Sequence, residues 1–257
     1  MSRLAAIAVF LIAQAGLANA AEVKVFSTIG VQAAREELAP KFEQATGNKL
    51  NITWATAAIL VKRVQAGETA ALMVLTKQGL DALTKDNKAT AGTDAVFASA
   101  GMAVVVKKGA PKPDISTPEA FKQALLNAKA IAYSDPAAGG ASGVYFAKLL
   151  DRMGIADQIK AKTKHPPPSG NSANLVVAGE AELAIQQEPE VMSVVGIDMV
   201  GPPPSDLNNI TVYAAGVGVG SQHADAVTAL IRFLHSPKAQ AVFKAKGIKP
   251  ADGPKGT

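Results

Sequence analysis

The stretch VKVFSTIGVQAAREELAPKFEQATG, residues 23–47, decides the fold. Val23 to Phe26 is a short β-branched and aromatic run of the kind that makes a strand. Val31, Ala34, Leu38, Phe42 and Ala45 then recur at helical spacing, and Gly47 stands where a left-handed residue closes a helix. A strand leading straight into an amphipathic helix is the first half of a β/α unit.

The same alternation continues to the C-terminus. Leu50, Ile52 and Trp54 alternate as a second strand, Ala57–Ala66 is a helix stopped by Gly67, and Leu72–Leu75 is a buried third strand before a helix from Lys77. Met102–Val106, Ile131–Tyr133, Leu183–Ile185 and Ile210–Tyr213 are further strands. Thr117-Pro118 starts one helix, Ser142 is expected to cap another that Gly154 closes, and Asn171 or Ser172 opens a third. Ala224–Leu234 and a segment from Ser236-Pro237 to Gly247 end the chain as helices. The pattern predicts an α/β protein with mostly parallel sheets.

Met1-Ser2-Arg3, the apolar run Leu4–Leu17 and Ala18-Asn19-Ala20 have the charge, length and small-residue ending of a secretory signal, with cleavage expected after Ala20. The apolar run is too short for a spanning helix. About 237 residues then remain, enough for two modest lobes. The chain has no cysteine, which excludes disulfides, a thiol nucleophile and a lipid-anchored cysteine. Its +5 formal charge is spread over scattered lysines and aromatics are only 5%, so nucleic acid is not an expected partner.

In open parallel sheets, ligands lie beyond the carboxyl ends of strands, where helix starts present unpaired N–H groups. At those places the sequence puts Ser27-Thr28, Thr56-Ala57-Ala58, Thr76-Lys77, Ser134-Asp135-Pro136, Gly139-Gly140-Ala141-Ser142-Gly143 and Gln186-Gln187. Nearly all are small, hydroxylated or amide residues, a donor set suited to a small anion held without a matched countercharge.

Several segments together resemble the molybdate-binding branch of the type II periplasmic solute-binding proteins. They are Val25-Phe26-Ser27, Leu38-Ala39-Pro40-Lys41-Phe42-Glu43, Val64-Gln65-Ala66-Gly67, Ser134-Asp135-Pro136, Gly179-Glu180-Ala181-Glu182, and Phe233-Leu234 with Ser236-Pro237. The resemblance implies a periplasmic, two-lobed, cofactor-free monomer that captures a small anion for the permease of an ABC importer. It also implies a two-strand hinge, with Met102–Val106 leading out and Ile210–Val217 leading back. The expected division is 1–20 signal peptide, 21–101 with 214–257 as lobe I, and 102–213 as lobe II.

Carried onto this chain, the family's ligand contacts fall at Ser27 and Thr56-Ala57 in lobe I, and at Ser142-Gly143, Ser172 and Gln186-Gln187 in lobe II. The family's serine-serine-glycine is Thr56-Ala57-Ala58 here, and glutamine stands where its tyrosine is expected. These changes favour a larger anion such as a di- or tricarboxylate over a tetrahedral oxyanion, with Lys77 or Arg63 as possible sources of charge.

The branch also includes a periplasmic aconitate isomerase, so proton-transfer chemistry is a second expectation. Tyr133, Tyr145, Lys77, Asp135 and His165 are the candidate groups, though none forms a motif. His223 and His235 fall at helix boundaries. No histidine pair or carboxylate cluster has metal-site spacing, no G-x-S-x-G elbow is present, and Gly216, Gly218 and Gly220 have the wrong spacing for a dinucleotide loop.

Overall fold

The computed structural model describes residues 21–168 and 170–251. The signal-peptide segment, residues 1–20, therefore lies outside the described residues. Two sheets form the framework. Sheet I contains β1 (Glu22–Thr28), β2 (Lys49–Ala55), β3 (Leu72–Thr76), β4 (Ala95–Ala100), β10 (Thr211–Val217) and β11 (Lys249–Pro250), in the order β11-β4-β10-β3-β1-β2. Sheet II contains β5 (Met102–Lys107), β6 (Ile131–Tyr133), β7 (Thr163–Lys164), β8 (Leu183–Gln187) and β9 (Ile197–Gly201), in the order β7-β6-β8-β5-β9.

Pairing is parallel where β/α units build the sheet, at β1 with β2 and β3 and at β6 with β7 and β8. It is antiparallel wherever β4, β5 or β10 takes part. The sheets are thus mixed, against the expectation of mostly parallel ones. Strands next to a crossover enter without a helical return and so lie opposite in sense to their neighbours.

Both faces of each sheet are covered, which explains the continuous apolar runs. In β3, Leu72 and Val74 face one side with Ala34, Leu38 and Phe42 of α1 (Gln32–Thr46), while Met73 and Leu75 face the other with Leu60 of α2 (Ala57–Gln65) and Leu80 of α3 (Lys77–Lys85). In β5, Met102, Val104 and Val106 meet Phe121 of α4 (Pro118–Asn127) and Phe146 of α5 (Ala141–Arg152). Ala103 and Val105 meet Val176 of α7 (Ala173–Val177) and Val191 of α8 (Glu188–Val191) on the other face. Beyond these, α6 (Ala156–Lys160) packs in lobe II, and α9 (Ala224–Leu234) and α10 (Pro237–Ala245) cover sheet I.

The chain crosses from sheet I to sheet II at a single residue, Gly101, and returns through 202–210. Both expected crossover strands therefore sit wholly within one sheet, and Thr211–Tyr213, grouped by sequence with the second lobe, pair in sheet I. The two crossings are tied together. Asn208 Oδ1 accepts from Met102 N at 2.9 Å, and a Cβ at Gly101 would stand 3.0 Å from Asn208 Nδ2.

Candidate functional site

The strand ends of both sheets converge on one narrow cleft, with an internal volume of about 30 Å³. Lobe I contributes Thr28 and the 3-10 turn after it, Ile29–Val31, together with the start of α2 at Thr56 and Ala57. Lobe II contributes Ser134, Asp135 and the start of α5 at Gly140–Ser142.

Local sequence explains why these helix starts face the cleft. Gly139 at φ +72° turns the chain into α5, whose N-cap is Gly140 and not Ser142 as expected. Gly140 has no side chain to occupy the first-turn N–H groups, which leaves them for an anion. Ser142 instead lies inside the first turn, buried at the cleft wall. In lobe I the N-cap positions before the 3-10 turn and α1 also make no side-chain cap. Thr56, by contrast, caps α2 by accepting from Ile59 N at 3.3 Å.

The lobes touch across the cleft. Thr56 Oγ1 donates to Ala138 O at 3.0 Å, and Gly139 packs so closely on Ala58 that a Cβ at 139 would stand 2.5 Å from the alanine methyl. Gly30 is tight for a similar reason, since a Cβ there would collide with the Tyr213 hydroxyl.

Behind these donors runs a buried polar network. Gln187 Nε2 donates to Thr211 Oγ1 at 2.6 Å, and its Oε1 accepts from the Tyr213 hydroxyl at 3.3 Å, joining β8 of sheet II to β10 of sheet I. Burial pushes the Tyr213 phenol well above its ordinary range, aided by nearby Glu190, so it stays a neutral donor. Gln186 points to the opposite face of sheet II. Its Oε1 accepts from Ser172 N at 2.7 Å and Ser172 Oγ at 2.6 Å, which aims its Nε2 at Glu190 Oε2.

Among the residues expected to bind ligand, Thr28, Thr56, Ala57, Ser142 and Gln187 line the cleft. Ser27 is buried beside Thr28 on the α1 face of the sheet, and its hydroxyl has no partner among the described residues. Gly143 lies against Ser134 O, where no Cβ fits. Ser172 and Gln186 support the wall from behind. Lys77 is no source of charge for the cleft, because it pairs with Asp81 and, at 3.5 Å, Asp94. Arg63 is likewise held by Glu68.

The expected proton-transfer candidates are mostly committed elsewhere. The Tyr133 ring lies edge-on to His165, whose Nδ1 bonds Tyr133 O at 2.9 Å. The Tyr145 hydroxyl donates to Leu207 O. Asp135 does line the cleft, but its Oδ1 accepts from Ala137 N at 2.9 Å. The acid that sequence reasoning missed is Glu190, three residues past the end of β8. It lines the cleft, and burial pushes its carboxyl up to about 7. No Lys or Arg is among the described lining residues.

Residues 23–249 match the family model described as bacterial extracellular solute-binding protein. The chain belongs to that family. Within it, an aconitate isomerase of Pseudomonas sp is 35% identical over 232 residues, covering 88% of this chain and 87% of the relative. The molybdate-binding protein of Escherichia coli K12 is 25% identical over 241 residues, 93% of each chain. The solute-binding fold is also that of the Azotobacter vinelandii periplasmic molybdate-binding protein, with a TM-score of 0.71 at 18% identity over 88% of this chain and 98% of that one. The chain is therefore an α/β binding protein of the type II class.

Proposed function

We propose that this solute-binding protein works in the periplasm, where it captures a small polycarboxylate of the aconitate class and, on closing, presents it to the permease of an ABC importer. The observation that carries this reading is the composition of the cleft. Each lobe supplies its own cluster of hydroxyls and helix-start N–H groups, no cation is among the described residues that line the space, and two acids, Asp135 and Glu190, stand in the wall. A polycarboxylate spreads its charge, so one carboxylate can meet the start of α5 while another meets Thr28 and the start of α2. Contact with both lobes is what makes a ligand favour the closed arrangement.

Thermal shift against citrate, cis- and trans-aconitate, molybdate and sulfate tests the reading. A ligand at 100 times its Kd stabilises by about 2.7 kcal/mol, a rise of about 5–10 °C for a chain of this size. A response confined to molybdate or sulfate would overturn it.

A second reading is favoured by the 35% identical relative, an aconitate isomerase. On that reading the bound polycarboxylate undergoes a double-bond shift before release. Proton NMR of trans-aconitate incubated with the protein tests it, the cis isomer being the expected product.

A further inference from the structure

Glu190 is a cleft carboxyl to which capture alone gives no task. It sits in a four-residue helical turn placed by the end of β8 and by Pro189 at the turn's start. Its backbone carbonyl accepts from Asn171 Nδ2 and from Ser193 Oγ at 2.6 Å. Gln186, itself fixed by two bonds from Ser172, holds Oε2. The other carboxyl oxygen, Oε1, accepts no hydrogen bond among the described residues, and Glu190 lines the main cleft as well as the pocket behind it. The carboxyl is therefore oriented on one side and available on the other.

The charges around it leave it poised. Tyr213 on β10 is neutral, Glu188 of the same turn is an acid also raised by burial, and Glu36 of α1 shares the rear pocket. The 3-10 turn Ile29–Val31 and the β5 residues Met102 and Ala103 bring no titratable group, and the α1 cation Arg35 is buried and lines neither the cleft nor the rear pocket. Desolvation is thus uncompensated by any paired cation, and the carboxyl titrates near neutrality.

We propose that Glu190 is the proton carrier of the cleft, taking a proton from the methylene carbon of a bound unsaturated polycarboxylate and returning it at the far end of the allylic system. In trans-aconitate the C–H electron pair becomes the new C=C bond as the proton passes to the Glu190 carboxylate. The electron pair of the old C=C bond then takes that proton at the other carbon, and the product is the cis isomer. Nothing is oxidised or reduced. The charge that develops on the neighbouring carboxylate falls to neutral donors at the start of α5. This inference rests on the isomerase reading above.

The test follows trans-aconitate with the full chain in D2O by proton NMR, comparing the parent with E190Q and E190D. Loss of an acid–base group costs about 10²–10⁴-fold in rate. The expected result is conversion with deuterium entering the methylene position in the parent. In E190Q, conversion and exchange should fall at least about 100-fold, while calorimetry finds aconitate binding within tenfold of the parent. E190D should retain part of the rate. The rise of parent kcat/KM with pH through about 7 should be absent from the residual rate of E190Q. E190Q keeps an acceptor for Gln186, so a melting temperature no lower than the parent's identifies it as folded. Undiminished isomerisation in E190Q would overturn the role of Glu190 and leave the isomerase reading standing. Binding by the parent with neither conversion nor exchange would overturn both.

Discussion

Replacing Arg35 by methionine should make the protein more stable. Arg35 lies on α1 with 1% of its surface exposed, and neither Nη1 nor Nη2 has a hydrogen-bond partner among the described residues. Burial alone lowers its guanidinium from its ordinary value to about 10. At about 1.4 kcal/mol per unit, the charged form in the folded protein is disfavoured by about 3 kcal/mol. The sign follows from the group being a base whose folded value lies below its unfolded one. The penalty is complete below about 10 and fades only as pH rises beyond that towards the ordinary arginine value, so an assay at pH 7 sees all of it. Methionine keeps the length of the side chain and its packing while removing the charge, and exchanges of this kind gain about 1–4 kcal/mol.

At about 2–4 °C per kcal/mol for a chain of this size, R35M should melt about 6–12 °C higher by scanning calorimetry at pH 7 without ligand. R35K, which keeps a buried charge, should not. A melting temperature of R35M equal to or below the parent's would refute the reasoning, because it would mean the guanidinium is satisfied in the folded protein.

Gly139→Ala should fold normally yet bind ligand at least about tenfold more weakly by calorimetry, equivalent to about 1.4 kcal/mol. Its Cβ would meet Ala58 only when the lobes are closed, and its φ of +72° disfavours a side chain. Lys162 Nζ donates to the α4-end carbonyls Leu126 O and Ala128 O, so K162A should lower urea stability by about 1–2 kcal/mol while K162R loses less. Phe121, fully buried between α4 and sheet II, should cost about 3–5 kcal/mol on truncation to alanine. Because the Glu190 carboxyl is raised from 4.5 to about 7, folding stability should decline as pH climbs through that window, and E190Q should flatten the decline in thermal scans from pH 4 to 8.

The β/α core was legible because its signals are redundant. In residues 23–47 the strand run, the helical period and Gly47 at φ 75° agree. β4, Ala95–Ala100, left little trace, since four of its six residues are alanine or serine, which carry little strand signal. The cleft was most legible at helix starts, where residue type follows from backbone need. It was read poorly in β8, because Gln186 and Gln187 are consecutive in a strand and must point to opposite faces. One therefore reaches the cleft wall while the other supports Glu190. Glu190 stands in the first turn of α8, where the helix dipole favours an acid by itself, so its residue type carries no sign of a ligand. Only the three-dimensional path of α8 turns it towards the ligand space.

The crossing at Gly101 has a bearing on ancestry and engineering. Ala100 and Thr211, the residues flanking everything inserted between the two crossings, are direct partners in the antiparallel pair β4–β10. A two-residue Asn-Gly turn in place of 101–210 would close that pair into a plain hairpin, leaving sheet I and the helices on both its faces uninterrupted. The second lobe is thus topologically a graft set into the tip of a hairpin. Such a graft can be exchanged between relatives as a cassette that brings half of a binding site with it.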